Sequence, residues 1–125
     1  MSASFKGESR VIVAGGREFN DYELLKSTLD GLFSRLKDED IQIVCGEARG
    51  ADSLGKRYAQ EHGIRVVSFP AEWDRFGKSA GYRRNVEMAE YANALVAFWN
   101  GESKGTNHMI ETAKKYGLDI RIISY

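Results

Sequence analysis

A single cysteine, a single proline and two histidines stand among the 125 residues, and 18 Lys+Arg balance 18 Asp+Glu to a net charge of zero. One cysteine leaves no disulfide within the chain, and with two histidines it cannot build a zinc site of the common kinds. Neither a metal nor a cofactor is expected. Zero balance argues against a broad nucleic-acid footprint, which normally needs a clear basic excess. Apolar runs never exceed a handful of residues, too few to cross a bilayer. Residues 1–8, Met-Ser-Ala-Ser-Phe-Lys-Gly-Glu, hold no apolar stretch of secretory-signal length. These absences leave a small cytoplasmic globule as the expectation. It is one domain over 1–125, burying about two-thirds of its unfolded surface.

What is present is 42% hydrophobic residues, 29% charged residues and 13 glycines, a globular composition. The plan alternates between two periodicities. Arg10 to Ala14 is a β-branched run ending at Gly15-Gly16 and reads as a buried strand. Asn20 with Glu23 resembles a capping box, and Leu25, Leu29, Leu32 and Leu36 follow at helical spacing. Ile41 to Cys45 is a second strand ending at Gly46, and Ala51 to His62 a second helix stopped by Gly63. Arg65 to Phe69 is a third strand closed by Pro70, and 71–80 is irregular. Tyr82 to Tyr91 is helical, with Val86 and Ala89 or Met88 inward. Ala94 to Trp99 is a strand, Gly105 to Tyr116 a helix, and Ile120 to Ser124 the last strand.

Five apolar strands separated by four helices imply an α/β, three-layer, Rossmann-like domain. Its mostly parallel five-stranded sheet should have the order 3-2-1-4-5 and carry helices on both faces. A flavodoxin-like order is the alternative. In either, the ligand crevice lies beyond the carboxyl ends of the strands, which picks out residues 15–20, 46–52, 70–84 and 100–107.

Those segments collect Gly15, Gly16, Gly46, Gly50, Gly77, Gly81, Gly101 and Gly105. Each lies beside a strand end or helix start, where a glycine lets backbone N–H groups approach an anion. Arg17, Arg49, Lys78, Arg83, Arg84 and Lys104 also fall at helix starts, where the helix dipole disfavours cations by roughly 0.3–1 kcal/mol each. A bound phosphate would reverse that preference. Glu18, Glu47, Glu72, Asp74 and Glu102 dilute the patch and favour a compact ligand over a long polyanion. Asp52 either caps its helix or accepts ribose hydroxyls. Ser103 and Thr106 supply hydroxyls, and Trp73, Phe76 and Tyr82 either pack at the core edge or stack on a nucleobase. Cys45 lies inside a strand and reads as a small buried residue.

These motifs resemble those of the SLOG superfamily, the Rossmann-like group of YspA-like, DprA-like and LOG proteins. The likeness is greatest to the YspA-like branch of bacteria and their phages. It is carried by Gly15-Gly16-Arg17-Glu18-Phe19, Gly46 with Gly50-Ala51-Asp52, Gly81 to Asn85, and Lys104-Gly105-Thr106. The resemblance implies binding of a nucleotide or nucleotide-derived small molecule, with phosphate near Gly105 and Thr106. It also implies a homodimer, since related folds pair through helices. LOG enzymes are phosphoribohydrolases that cleave the bond between base and ribose 5'-monophosphate. Arg84 matches their arginine, Asn85 replaces their lysine, and Asn107, His108 and Met109 stand where they carry a carboxylate. The first acid is Glu111. Three readings result: a nucleotide sensor or carrier, a hydrolase using Arg84 with Glu111 or Asp52, and a single-stranded DNA binder as in the DprA-like relatives. His108 reads as a solvated helix residue.

Overall fold

The computed structural model describes residues 8–36 and 40–125, so the reading of residues 1–7 lies outside the described residues. Strands β1 (Glu8–Gly15), β2 (Asp40–Cys45), β3 (Arg65–Ser68), β4 (Ala94–Trp99) and β5 (Asp119–Ser124) form one sheet. Its order is β3-β2-β1-β4-β5, and every neighbouring pair is parallel. The Rossmann-like order expected from the alternation is the one observed.

Helices α1 (Tyr22–Phe33) and α2 (Ala51–Glu61) link the strands on one side of the sheet. A single-turn helix α3 (Trp73–Phe76) leads through a 3-10 turn into α4 (Ala80–Tyr91), and α5 (Lys104–Lys115) joins β4 to β5. The side chains of β1 alternate strictly. Val11 and Val13 pack with Leu25, Leu29, Ala51 and Tyr58 on the α1/α2 face, whereas Ile12 and Ala14 pack with Met88, Ala89, Met109 and Ile110 on the α4/α5 face. Each such fully buried Val, Leu or Ile contributes about 1.5–3 kcal/mol. From β1 the chain steps outward to β2 and β3, then crosses to β4 and β5 on the other side. A single hand of crossover then puts the two helix pairs on opposite faces.

Four local expectations are corrected. The cap of α1 is Asp21, whose carboxylate accepts from the Leu24 N–H, not Asn20. Phe33, which the leucine spacing passes over, is buried with Leu25 and Leu29, while Leu32 and Leu36 lie half-buried against the same core. The segment 71–80 is not wholly irregular, since it holds α3 and the 3-10 turn. In α4 the inward residues are Asn85, Met88 and Ala89, with Val86 half-buried. Among the described residues no helix is long and apolar enough to cross a membrane.

Candidate functional site

A crevice of about 860 Å³ opens beyond the carboxyl ends of β1 and β4, where the strand order reverses. A depression of about 900 Å³ lies at the opposite ends of the strands. There Arg10 is engaged by Glu8 at 2.5 Å and by the Tyr91 carbonyl at 2.6 Å, and its N–H by Asn93 at 2.9 Å. The first site is the one whose walls are the four segments singled out above.

Its floor is the β1–α1 turn. Gly15 has no room for a side chain: a Cβ there would lie 2.5 Å from the Phe98 carbonyl and 2.7 Å from the Ala51 Cβ. The Gly16 N–H donates to the Phe98 carbonyl at 3.3 Å, and the Gly16 carbonyl accepts from Phe19 and Ala51. Gly50, at φ +76°, lets α2 start directly against that carbonyl. These glycines thus knit β1, β4 and α2 together, and the Gly16 N–H is already engaged by protein. Phe19 stacks on Phe98, with centroids 4.9 Å apart, and meets Tyr125 edge-on at 4.7 Å. Arg17 is left exposed on the crevice wall.

Asp52, only 6% exposed, sits in the first turn of α2 and lines the crevice. Its Oδ2 accepts from the Gly46 N–H at 2.9 Å and the Ala48 N–H at 3.3 Å. Burial pushes this carboxyl up, while the two N–H donors and the Arg84 charge pull it back. Arg84 reaches from α4 to donate through Nη1 to the Gly46 carbonyl and through Nε to Asn85 Oδ1 at 3.1 Å. Burial lowers its pKa most; Asp52 opposes that, and the like charge of Arg17 adds to it. An arginine so placed remains a cation at neutral pH.

Asn85 joins α4 to α5. Arg84 Nε can only donate, so Oδ1 faces it and Nδ2 faces the Gly105 carbonyl at 3.4 Å and His108 Nδ1 at 3.1 Å. His108 Nδ1 therefore accepts, and the ring carries its proton on Nε2. His108 is half-buried beneath Tyr82, ring centroids 4.2 Å apart, and burial lowers its pKa. The expectation of a solvated helix histidine is corrected, because Asn85 and Tyr82 enclose it from α4.

At the start of α5, Ser103 caps the helix by accepting from the Thr106 N–H at 3.3 Å, and its hydroxyl meets the Thr106 hydroxyl at 3.0 Å. The amides of Lys104 and Gly105 stand ahead of that cap, where a helix has no partners for them. Gly105 faces open space. Trp73 and Tyr82 are each about half exposed on the crevice rim.

The expected residues do not all converge. Gly15, Gly16, Arg17, Asp52, Trp73, Gly81, Tyr82, Arg84, Asn85, Ser103, Gly105 and Thr106 line the crevice; Gly46, Arg49, Gly50 and Lys104 do not. Of the six cations at helix starts, three reach it: Arg17, Lys78 and Arg84. Arg83 instead lies over the Phe76 ring at 4.2 Å and donates to Ser79. Glu111 is turned away and paired with Lys114 at 3.3 Å. Five residues beyond Thr106, it sits roughly 140° around the helix. Of the carboxylates expected to dilute the patch, Glu18 and Glu102 line the crevice, and Asn100 and Tyr125 are lining residues to which the sequence reading gave no role. Among the described residues no group of three or more His, Cys, Asp or Glu is placed to hold a metal.

The all-parallel sheet and the crevice at its switch point define a Rossmann-like α/β protein. The family model described as YspA, cpYpsA-related SLOG family matches residues 9–76. The gene 61 protein of Mycobacterium phage D29 is 33% identical over 117 residues, 89% of this chain and 93% of the phage protein. The chain belongs to the YspA, cpYpsA-related SLOG family. In fold it is similar to DNA processing protein A (DprA) from Streptococcus pneumoniae, with a TM-score of 0.72 over 97% of this chain at 18% identity. It spans about half of that protein, 52% of its chain.

Proposed function

We propose that the crevice binds a nucleotide or nucleotide-derived, phosphate-containing small molecule, as a sensor or carrier. The observation that carries this reading is the convergence of Arg17 and Arg84. Both side chains line the same crevice, and the like charge of Arg17 bears on the partly buried Arg84 guanidinium. An anion between them relieves that repulsion. The phosphate lies against Arg17, Arg84 and the amide of Gly105 at the start of α5, and Lys104, outside the lining, adds long-range attraction. Gly15, Gly16 and Gly81 keep the walls low, Ser103, Thr106 and Asn85 border the ligand, and Arg49 adds long-range attraction. Trp73 and Tyr82 stack on the base. The carboxylates of Glu18 and Glu102 accept ribose hydroxyls. Hydrolysis of an N-glycosidic bond, assigned from sequence to Arg84 with Glu111 or Asp52, would fall to Asp52, which lines the crevice, because Glu111 is not among the lining residues and pairs with Lys114.

Calorimetry against mononucleotides, cyclic dinucleotides and ADP-ribose tests the reading. Binding is expected, with Arg17→Ala and Arg84→Ala each weakening it about 10- to 100-fold, the worth of one hydrogen bond to a charged group. No heat at millimolar ligand sinks it. Sedimentation of the same protein measures the homodimer implied by family resemblance.

A second reading, single-stranded DNA binding, is favoured by one observation. The segment 73–84 presents exposed Trp73 and Tyr82 beside Arg75, Lys78 and Arg83, an aromatic and basic surface of the kind that tracks a strand. The likeness to a DNA processing protein leaves the zero net charge without support as grounds for excluding nucleic acid. An oligonucleotide affinity falling steeply with salt establishes this reading, and a flat response with mononucleotide binding intact removes it.

A further inference from the structure

We infer that Asp52 is a positioning residue for Arg84: by holding the backbone N–H groups of the peptides on either side of the Gly46 carbonyl, it aims the guanidinium into the crevice. The inference rests on the reading of that crevice as an anion site. Asp52 lies on α2 and Arg84 on α4, and the link between them is one residue, Gly46, just past the end of β2. Asp52 Oδ2 accepts the Gly46 N–H from one side, and the Gly46 carbonyl accepts Arg84 Nη1 on the other. The second N–H on the same oxygen, from Ala48, fixes the turn that follows.

Gly46 is itself part of the device. A Cβ there would lie 2.8 Å from Arg84 Cζ and 2.9 Å from its Cδ, so the guanidinium occupies the space that a side chain at this position would need. With Nε donating to Asn85, two of the three guanidinium nitrogens are held by protein before any ligand arrives. The remaining one, Nη2, lies 3.7 Å from the position of a Cβ on Gly81, on the crevice wall. A fork clamped on two nitrogens and open on the third loses little freedom when an anion binds. The ionisable groups facing the Asp52 carboxylate are Arg84 from α4, Glu47 from the loop before α2 and Cys45 from β2. Asparagine could still accept both N–H groups through one oxygen, whereas alanine could accept neither.

The test is nitrogen-15 NMR of the arginine side chains in the unliganded protein, with the Arg84 signals assigned from their loss in Arg84→Lys. In the wild type, hindered rotation about the Nε–Cζ bond keeps the Arg84 Nη signals distinct. Asp52→Ala is expected to collapse them, with rotation at least about tenfold faster, and Asp52→Asn to retain them. Asp52→Ser, whose side chain is too short to reach both the Gly46 and Ala48 N–H groups, serves if Asp52→Ala does not fold. Unchanged Arg84 signals in either folded variant overturn the inference. Collapse in Asp52→Asn overturns it too, because charge rather than the backbone link through Gly46 would then be at work. In a second arm, adenosine 5'-monophosphate is titrated calorimetrically. Asp52→Ala should weaken binding about tenfold in the wild-type background and leave it unchanged in the Arg84→Ala background. Equal weakening in both contradicts a role through Arg84. If the nucleotide binds no variant, the nucleotide reading fails while the spectra still decide the inference.

Discussion

Replacing Gly15 by alanine puts a methyl group between two elements that cannot both retreat. Its Cβ would sit 2.5 Å from the Phe98 carbonyl of β4, 2.7 Å from the Ala51 Cβ of α2 and 3.1 Å from the Phe98 Cβ. The closest contact is nearly an ångström inside van der Waals distance, and the atom it meets is backbone, not a side chain that can rotate. The β1 end must move away from β4, lengthening the hydrogen bond from Gly16 to Phe98. Overpacking of this kind costs about 1–3 kcal/mol. For a chain of this size that lowers Tm by about 3–12 °C. The control is Gly31→Ala on the exposed side of α1, where nothing lies within 4 Å of the added carbon. There the same methyl group should stabilise by about 0.5–1 kcal/mol through helix propensity alone. Urea unfolding of the two variants measures both signs. A Gly15→Ala protein as stable as the wild type would refute the packing role assigned to this glycine.

Ser103→Ala removes the cap of α5 and the partner of the buried Thr106 hydroxyl, so urea unfolding should show a loss of about 1–2 kcal/mol. His108 should titrate below 6.5 in proton NMR, because burial disfavours its charged form. The stability this neutral ring gives is present above 6.5 and lost as pH falls through the lower folded value; His108→Gln should flatten that loss. Asp52 has the opposite dependence. Burial raises its folded value above the ordinary 3.8, so its contribution is present below 3.8 and lost as pH rises through the raised value. The stability of the wild type relative to Asp52→Asn should therefore decline from acid pH to neutrality, and a constant difference would contradict the assignment.

The strand order was legible because glycine-ended, β-branched runs alternate with leucines at helical spacing, and that alternation permits few topologies. Finer features depended on neighbours that sequence spacing does not reveal. Asn20 and Asp21 are both capping types, and only the turn that Phe19 anchors decides between them. A helix as short as Trp73–Phe76 has no period to detect. At the site, Gly15 and Gly50 stood out as glycines, but the contacts that leave no room for a side chain there, with Phe98 and with Gly16, come from residues far away in sequence. Six cations at helix starts shared a position along the axis while differing in azimuth, so only Arg17, Lys78 and Arg84 face inward. His108 could not be recognised as a partner of Asn85, 23 residues away, until α4 and α5 were seen side by side.

The most direct measurement is the crystal structure of the protein soaked with mononucleotides. A nucleotide-binding crevice requires density for phosphate between Arg17, Arg84 and Gly105, with the base against Tyr82 or Trp73. Density at the opposite ends of the strands, or an empty crevice at millimolar ligand, would contradict it.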